Sequence, residues 1–190
     1  MRFASVDRAT RSVLFTSAGP EEGKSTTLAN LAVTEAQAGS RVLLVDCDLR
    51  RPRQHTLFAV PNEVGLSSFF LSTETVDPPM VKTEVEGLCV VPTGPRPPNP
   101  ADLLASDRFT NLLAKLQDAF DVVFIDAPPV TVAADTSILA PLVDGVVLVV
   151  DARRTHRDQA RRAKEQIESV HAHLLGIVLN NAKVQSTAYG

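Results

Sequence analysis

The chain has 190 residues, 44% of them hydrophobic and 22% charged, with a formal net charge of −3. That length suits one domain with a substantial core, and the mildly acidic balance excludes a nucleic-acid scaffold, which needs a basic surface. Two cysteines, Cys47 and Cys89, exclude a disulfide framework and stand at no metal-ligand spacing, so both read as free thiols in a reducing compartment.

Taken in chain order, six short runs rich in Val, Ile, Leu and Phe are expected as strands: 12–16, 41–46, 87–92, 121–126, 145–151 and 176–180. They are apolar throughout rather than alternating, which suits strands covered on both faces of a parallel sheet. Between them, 23–38, 107–120 and 155–172 are expected as helices; the last sets Ala163, Ile167 and Val170 opposite Gln159, Arg162 and Gln166. Five of the 13 prolines fall between Pro92 and Pro100, a loop expected to pack on the domain rather than to link two domains. Ile138 to Val150, the most apolar stretch, is interrupted by Pro141, Asp144 and Gly145 and cannot span a membrane. Alternation of strand and helix gives an α/β fold, a doubly wound and mostly parallel sheet with helices on both faces. One domain over 1–190 is expected, cut from a longer chain, with a flexible tail from about residue 182.

Ala18-Gly19-Pro20-Glu21-Glu22-Gly23-Lys24-Ser25 fits the P-loop pattern of a nucleoside triphosphatase, with alanine in the first glycine position. It follows an expected strand and opens an expected helix, so loop and helix N–H groups can face phosphates. Gly19, Glu22, Gly23, Lys24, Ser25 and Thr26 are the expected nucleotide contacts, Lys24 reaching the β- and γ-phosphates and Ser25 the magnesium of ATP–Mg²⁺. The Glu21 and Glu22 side chains are expected to point to solvent. Two further strands end in acids, Asp46 and Asp48 after the second and Asp126 after the fourth. Ligands bind at the carboxyl ends of parallel strands, so these acids can converge on the P-loop, one orienting magnesium and one accepting a hydroxyl proton. Each could instead serve as a turn former. Asn180 and Asn181 end the last strand; Asn180 is the candidate for reading the adenine edge, a turn role being the alternative.

Three motifs together resemble the bacterial tyrosine kinases, the cytoplasmic autokinase domains of capsular and exopolysaccharide systems. Ser17 to Thr27, Val45-Asp46-Cys47-Asp48-Leu49-Arg50-Arg51-Pro52 and Phe124-Ile125-Asp126-Ala127-Pro128-Pro129 are similar to their Walker A, A′ and B motifs. Gly65-Leu66-Ser67, Pro92-Thr93-Gly94, Pro97-Pro98-Asn99-Pro100 and Leu175 to Asn180 extend the resemblance over nearly the whole chain. The resemblance implies Lys24, Asp46 and Asp48 as catalytic residues, with Asp46 activating the tyrosine hydroxyl, and Ser25, Asp48 and Asp126 around magnesium. It implies phosphorylation in trans of a neighbour's tyrosine tail within a ring, a membrane adaptor in the same or another chain, a cognate phosphatase, and a place at the inner face of the cell membrane. Here the tail holds one tyrosine, Tyr189, as phospho-acceptor; Glu21 stands where the family usually has glycine; and the helix that bridges ring neighbours is missing before the first strand. A monomer or weak dimer is therefore expected of this length of chain. Two rivals share the P-loop: a Min/Par-type ATPase switch, whose second lysine has no counterpart near Gly19 and Pro20, and a non-catalytic nucleotide-binding regulatory module.

Arg50, Arg51 and Arg53 read either as a subunit- or tail-pairing surface or as a solvated turn; Arg153, Arg154, Arg157, Arg161 and Arg162 read as a solvated helix face or, alternatively, a surface for anionic lipid. His55, His156, His171 and His173 suggest no metal site.

Overall fold

The computed structural model describes residues 10–71 and 79–182. Its seven strands are β1 (Ser12–Ser17), β2 (Val42–Asp46), β3 (Val81–Lys82), β4 (Leu88–Val91), β5 (Val122–Asp126), β6 (Gly145–Asp151) and β7 (Leu174–Asn180). They form one sheet in the order β3-β4-β2-β5-β1-β6-β7. Only β3 runs antiparallel, against β4. The helices are α1 (Lys24–Gln37), α2 (Gln54–Leu57), α3 (Leu66–Leu71), α4 (Pro100–Leu104), α5 (Asp107–Ala119), α6 (Ala134–Leu139) and α7 (Arg157–Ser169), with a 3₁₀ turn at Ala140–Leu142. The expected doubly wound α/β architecture is what the structure has.

Period-2 alternation divides the core into two layers. On one side of the sheet Val13, Phe15, Leu44, Phe124 and Val149 pack with Leu28 and Ala32 of α1. On the other, Leu14, Leu43, Val123 and Ile125 pack with Phe109, Leu112 and Leu116 of α5 and Ile167 of α7. Every residue of β1, β2 and β6 is buried, which explains why these runs carry no polar alternation. Phe15 and Phe124 meet edge to face, centroids 6.1 Å apart at 86°, a pairing worth ~1 kcal/mol beyond area burial. Truncating Leu28, fully buried on the sheet-facing side of α1, to alanine would cost ~2–5 kcal/mol.

Strand β7 departs from the two-faced burial expected of it. It is a sheet edge with β6 as its one partner, and Ile177 and Leu179 are 51% and 57% exposed. The proline-rich loop packs as expected: Leu66 and Ser67 N–H groups donate to the carbonyls of Pro92 and Thr93, each at 2.8 Å. A Cβ on Gly65 would collide with the backbone of Thr93 and Gly94, so that contact requires glycine.

Candidate active site

The P-loop runs from the end of β1 to the first turn of α1. Gly23 precedes α1 at φ 85°, in the left-handed region where glycine costs least, and a Cβ there would lie 2.6 Å from Asn180 Nδ2. The loop is tied to four separate elements. Ser17 Oγ donates to the Gly19 carbonyl at 2.7 Å, and Thr131 Oγ1 donates to the Ala18 carbonyl at 2.6 Å. Gln159 Nε2 of α7 reaches the same Ala18 carbonyl at 3.4 Å. From β7, Asn180 Nδ2 donates to the Glu22 carbonyl at 2.8 Å and to Thr27 Oγ1 at 3.0 Å. Both amide hydrogens of Asn180 are thereby used on the loop and α1, so this residue braces the cradle and offers no free donor to a base edge.

The two glutamates part company. Glu21 points to solvent as expected, adopts φ 60°, and sits 3.6 Å from the Arg154 guanidinium. Glu22 does not point outward: it is 5% exposed and folds back, accepting from Gly19 N at 2.8 Å and from Thr155 Oγ1. Its carboxylate is spent inside the loop, which leaves only its backbone available to phosphate and removes one negative charge from the face a polyanion must approach. Thr155, ahead of α7, carries no sequence signal for this role.

At the carboxyl ends of β2 and β5 the acids do converge. Asp46 and Asp126 are lateral partners in the sheet register. The Lys24 ammonium lies between Asp126 Oδ1 at 2.8 Å and Asp48 Oδ2 at 3.0 Å, with Ser25 Oγ 3.1 Å away. Burial opposes the charge on Lys24, but the Asp126 and Asp48 carboxylates outweigh it and hold its pKa above the ordinary 10.5. The residues expected to gather around the terminal phosphates are thus gathered, with Lys24 at their centre.

Asp46 is the exception. It is fully buried; Oδ1 accepts from Asp48 N at 3.2 Å, and Oδ2 from Arg53 N and Gln54 N at 3.1 and 3.0 Å. Burial first, and then the Asp126 charge, push its pKa up to about 8 against the pull of those N–H groups and Lys24. Three backbone N–H groups thus enclose the Asp46 carboxyl, which lies beneath the cleft rather than on its wall. In this geometry Asp46 ties down the segment that carries Asp48 and the arginines.

Beyond Thr131, Thr155 and Gln159, three further contributors had no site role in the sequence reading. Gln54, fully buried at the start of α2, donates from Nε2 to Asp126 Oδ2 at 2.6 Å and to the Ser25 carbonyl at 3.2 Å. Asp135, fully buried on α6, takes a two-pronged bond from Arg50 at 2.9 and 3.0 Å, which anchors an arginine that stays exposed at the turn after β2. Cys47, enclosed between Asp46 and Asp48, is a free buried thiol, whereas free Cys89 is only half-buried. Arg153 and Arg154 engage Asn181 and Glu21, and Arg161 pairs with Asp158 and Glu165 along α7, all at the surface. Among the described residues no three of His, Cys, Asp and Glu are grouped to hold a metal by themselves. The oxygen donors of Ser25, Asp48 and Asp126 instead fit magnesium, which keeps waters and substrate phosphate in its shell.

An open cleft of about 770 Å³ lies over the loop, bounded by Glu21, Lys24, Ser25, Asp48, Arg51 and Pro129. A strand, a glycine turned left-handed, a helix opening on lysine and serine, and acids from two neighbouring strands define the P-loop NTPases. Residues 10–189 match the ParA family, described as NUBPL iron-transfer P-loop NTPase. Within that class the chain belongs to the bacterial tyrosine kinases. It is 44% identical to tyrosine-protein kinase YwqD of Bacillus subtilis over its whole length and 81% of that protein. It superposes on the kinase domain of Escherichia coli tyrosine kinase ETK with a TM-score of 0.91 at 31% identity, covering all of this chain and 74% of that one. Tyrosine-protein kinase ptk of Acinetobacter johnsonii is 33% identical over 94% of this chain, which spans only 25% of that longer protein. The rival expectation of a Min/Par-type switch gives way to a kinase that shares its fold.

Proposed function

We propose that this kinase domain transfers the γ-phosphoryl group of ATP–Mg²⁺ to tyrosine in the tail of a neighbouring copy, and that it serves capsular or exopolysaccharide assembly at the inner face of the cell membrane. The observation that carries the reading is the buried lysine held between Asp48 and Asp126 at the mouth of the P-loop. An ammonium so placed can swing from its carboxylates to β- and γ-phosphate oxygens, where it offsets charge that grows in transfer. Its departure frees Asp126 Oδ1 and Asp48 Oδ2, and these with Ser25 Oγ would hold magnesium, which neutralises phosphate charge when bound. Glu22, Gly23 and Thr26 contribute backbone N–H groups to the phosphates, while Gly19, whose N–H is given to Glu22, and Asn180 keep the loop in shape. Asp48 borders the cleft and belongs to the cation; Asp46 behind it is the acid that the resemblance assigns to the tyrosine proton.

Tyr189, the proposed acceptor, lies outside the described residues. The membrane adaptor, the phosphatase and the ring assembly belong to the same proposal, as does the single-domain reading of 1–190. Among the described residues no helix is long and apolar enough to cross a membrane, which suits a domain held at the bilayer by something else. The test incubates the chain with labelled ATP and Mg²⁺, with a tail peptide as added acceptor, beside Lys24→Met and Asp48→Asn. Label on tyrosine, lost in both variants, is the expected result. ATP hydrolysis without phosphotyrosine would overturn the kinase reading.

A further inference from the structure

Gln54 is buried completely, yet its two amide ends are treated very differently. Nε2 donates at 2.6 Å to Asp126 Oδ2 and at 3.2 Å to the Ser25 carbonyl. Oε1 is buried and has no hydrogen-bond partner. Turning the amide over does not help, because Oε1 would then face a carboxylate and a carbonyl, two acceptors, and lose both bonds. The orientation is therefore forced, and the orphan is the acceptor end. A buried acceptor left unpaired costs ~1–3 kcal/mol, and native proteins keep few of them. Both residues that Gln54 grips, Ser25 and Asp126, are ones through which the cation would be held. The O–H of water in the shell of a hard divalent cation, which arrives with nucleotide and is strongly polarised, is a donor that such an acceptor suits.

We propose that Gln54 is a positioning residue for the hydrated divalent cation: Nε2 holds Asp126 in place while Oε1 accepts a hydrogen bond from a cation-bound water. The inference rests on the ATP–Mg²⁺ reading of the site. It makes the nucleotide-free state the one that carries the unsatisfied group and the cation-loaded state the one that relieves it. Nothing in the residue type announces this. Gln54 acts because Asp46 fastens the N–H groups of Arg53 and Gln54, which brings the start of α2 against Ser25 and Asp126.

The test measures ADP affinity by titration calorimetry, once with Mg²⁺ and once in EDTA, for the native chain, Gln54→Met and Gln54→Asn. Methionine keeps the volume and loses both polar ends; asparagine keeps the amide but draws it back by one methylene, and it serves if the methionine variant folds poorly. The native chain is expected to bind ADP more tightly with Mg²⁺ than without. In both variants that Mg²⁺-dependent gain should shrink by about tenfold, the worth of one or two hydrogen bonds, a larger change than any loss of affinity in EDTA. Thermal unfolding gives a second readout: the variants lose the bond to Asp126 and start from a lower Tm in EDTA, and the upward Tm shift produced by Mg²⁺–ADP should in addition be smaller in them. If affinities with and without Mg²⁺ fall together, or Tm falls with an unchanged Mg²⁺ gain, Gln54 only supports the fold and the inference is wrong. If the native chain itself shows no Mg²⁺ gain, the cation reading of the site is what fails.

Discussion

Replacing Lys24 with methionine removes one positive charge from between two buried acids, and the cost can be worked from the geometry. The ammonium is 2.8 Å from Asp126 Oδ1 and 3.0 Å from Asp48 Oδ2, with side-chain exposures of 10%, 0% and 5%. At an effective dielectric near 20 the contacts are about 5.9 and 5.5 kcal/mol of gross attraction, most of which the desolvation of three charges consumes. A deletion does not measure that attraction; it measures the uncompensated charge left behind, ~3–5 kcal/mol for a buried pair. Nucleotide-free Lys24→Met should therefore be about 3–5 kcal/mol less stable than the native chain near pH 7.5, read by urea denaturation in EDTA. A loss below ~1 kcal/mol would match a solvated surface pair and refute a clasped lysine.

The remaining predictions concern other members of the same constellation. Asp46 binds its proton more tightly folded, about 8 against an ordinary 3.8, so its stabilising contribution is complete below 3.8 and is lost as pH rises through about 8. Tm should consequently fall across that window in the native chain, and the slope should flatten in Asp46→Asn; an identical slope would clear Asp46 of responsibility. Glu21→Gly relieves a left-handed backbone at φ 60° at the expense of an exposed contact to Arg154, and should raise stability by about 1 kcal/mol in denaturation experiments. A drop of that size would mean that the Arg154 contact outweighs the strain.

Much of this site was legible because its signals are local. A P-loop is a fixed spacing of glycine, lysine and serine between a strand and a helix, and Asp46, Asp48 and Asp126 sit where buried apolar runs stop. What escaped depends on distant partners. Glu22 looked like a solvent-facing charge because the hydroxyl and N–H that turn it inward belong to Thr155 and Gly19. Gln54 and Asp135 are ordinary polar residues until α2 and α6 dock them against Asp126 and Arg50. Asp46 matched a catalytic position by motif, yet the N–H groups that enclose it come from residues two, seven and eight places later, a loop closure that no periodicity predicts. Strand β3, two residues long, exists only through its pairing with β4. The edge position of β7, and so its half-exposed face, follows from strand order, which the alternation of elements leaves open.

Cys47 gives the site an unexpected chemical resistance. Burial first, then the surrounding Asp46, Asp126, Asp48 and Asp135 charges, push its thiol well above the ordinary cysteine range. Alkylating agents and peroxide attack the thiolate, so burial and the surrounding acids disfavour the form of Cys47 that they would attack. Of the two thiols, half-buried Cys89 is the one left for labelling, so a probe attached there would report from β4 while the nucleotide cleft remains chemically untouched.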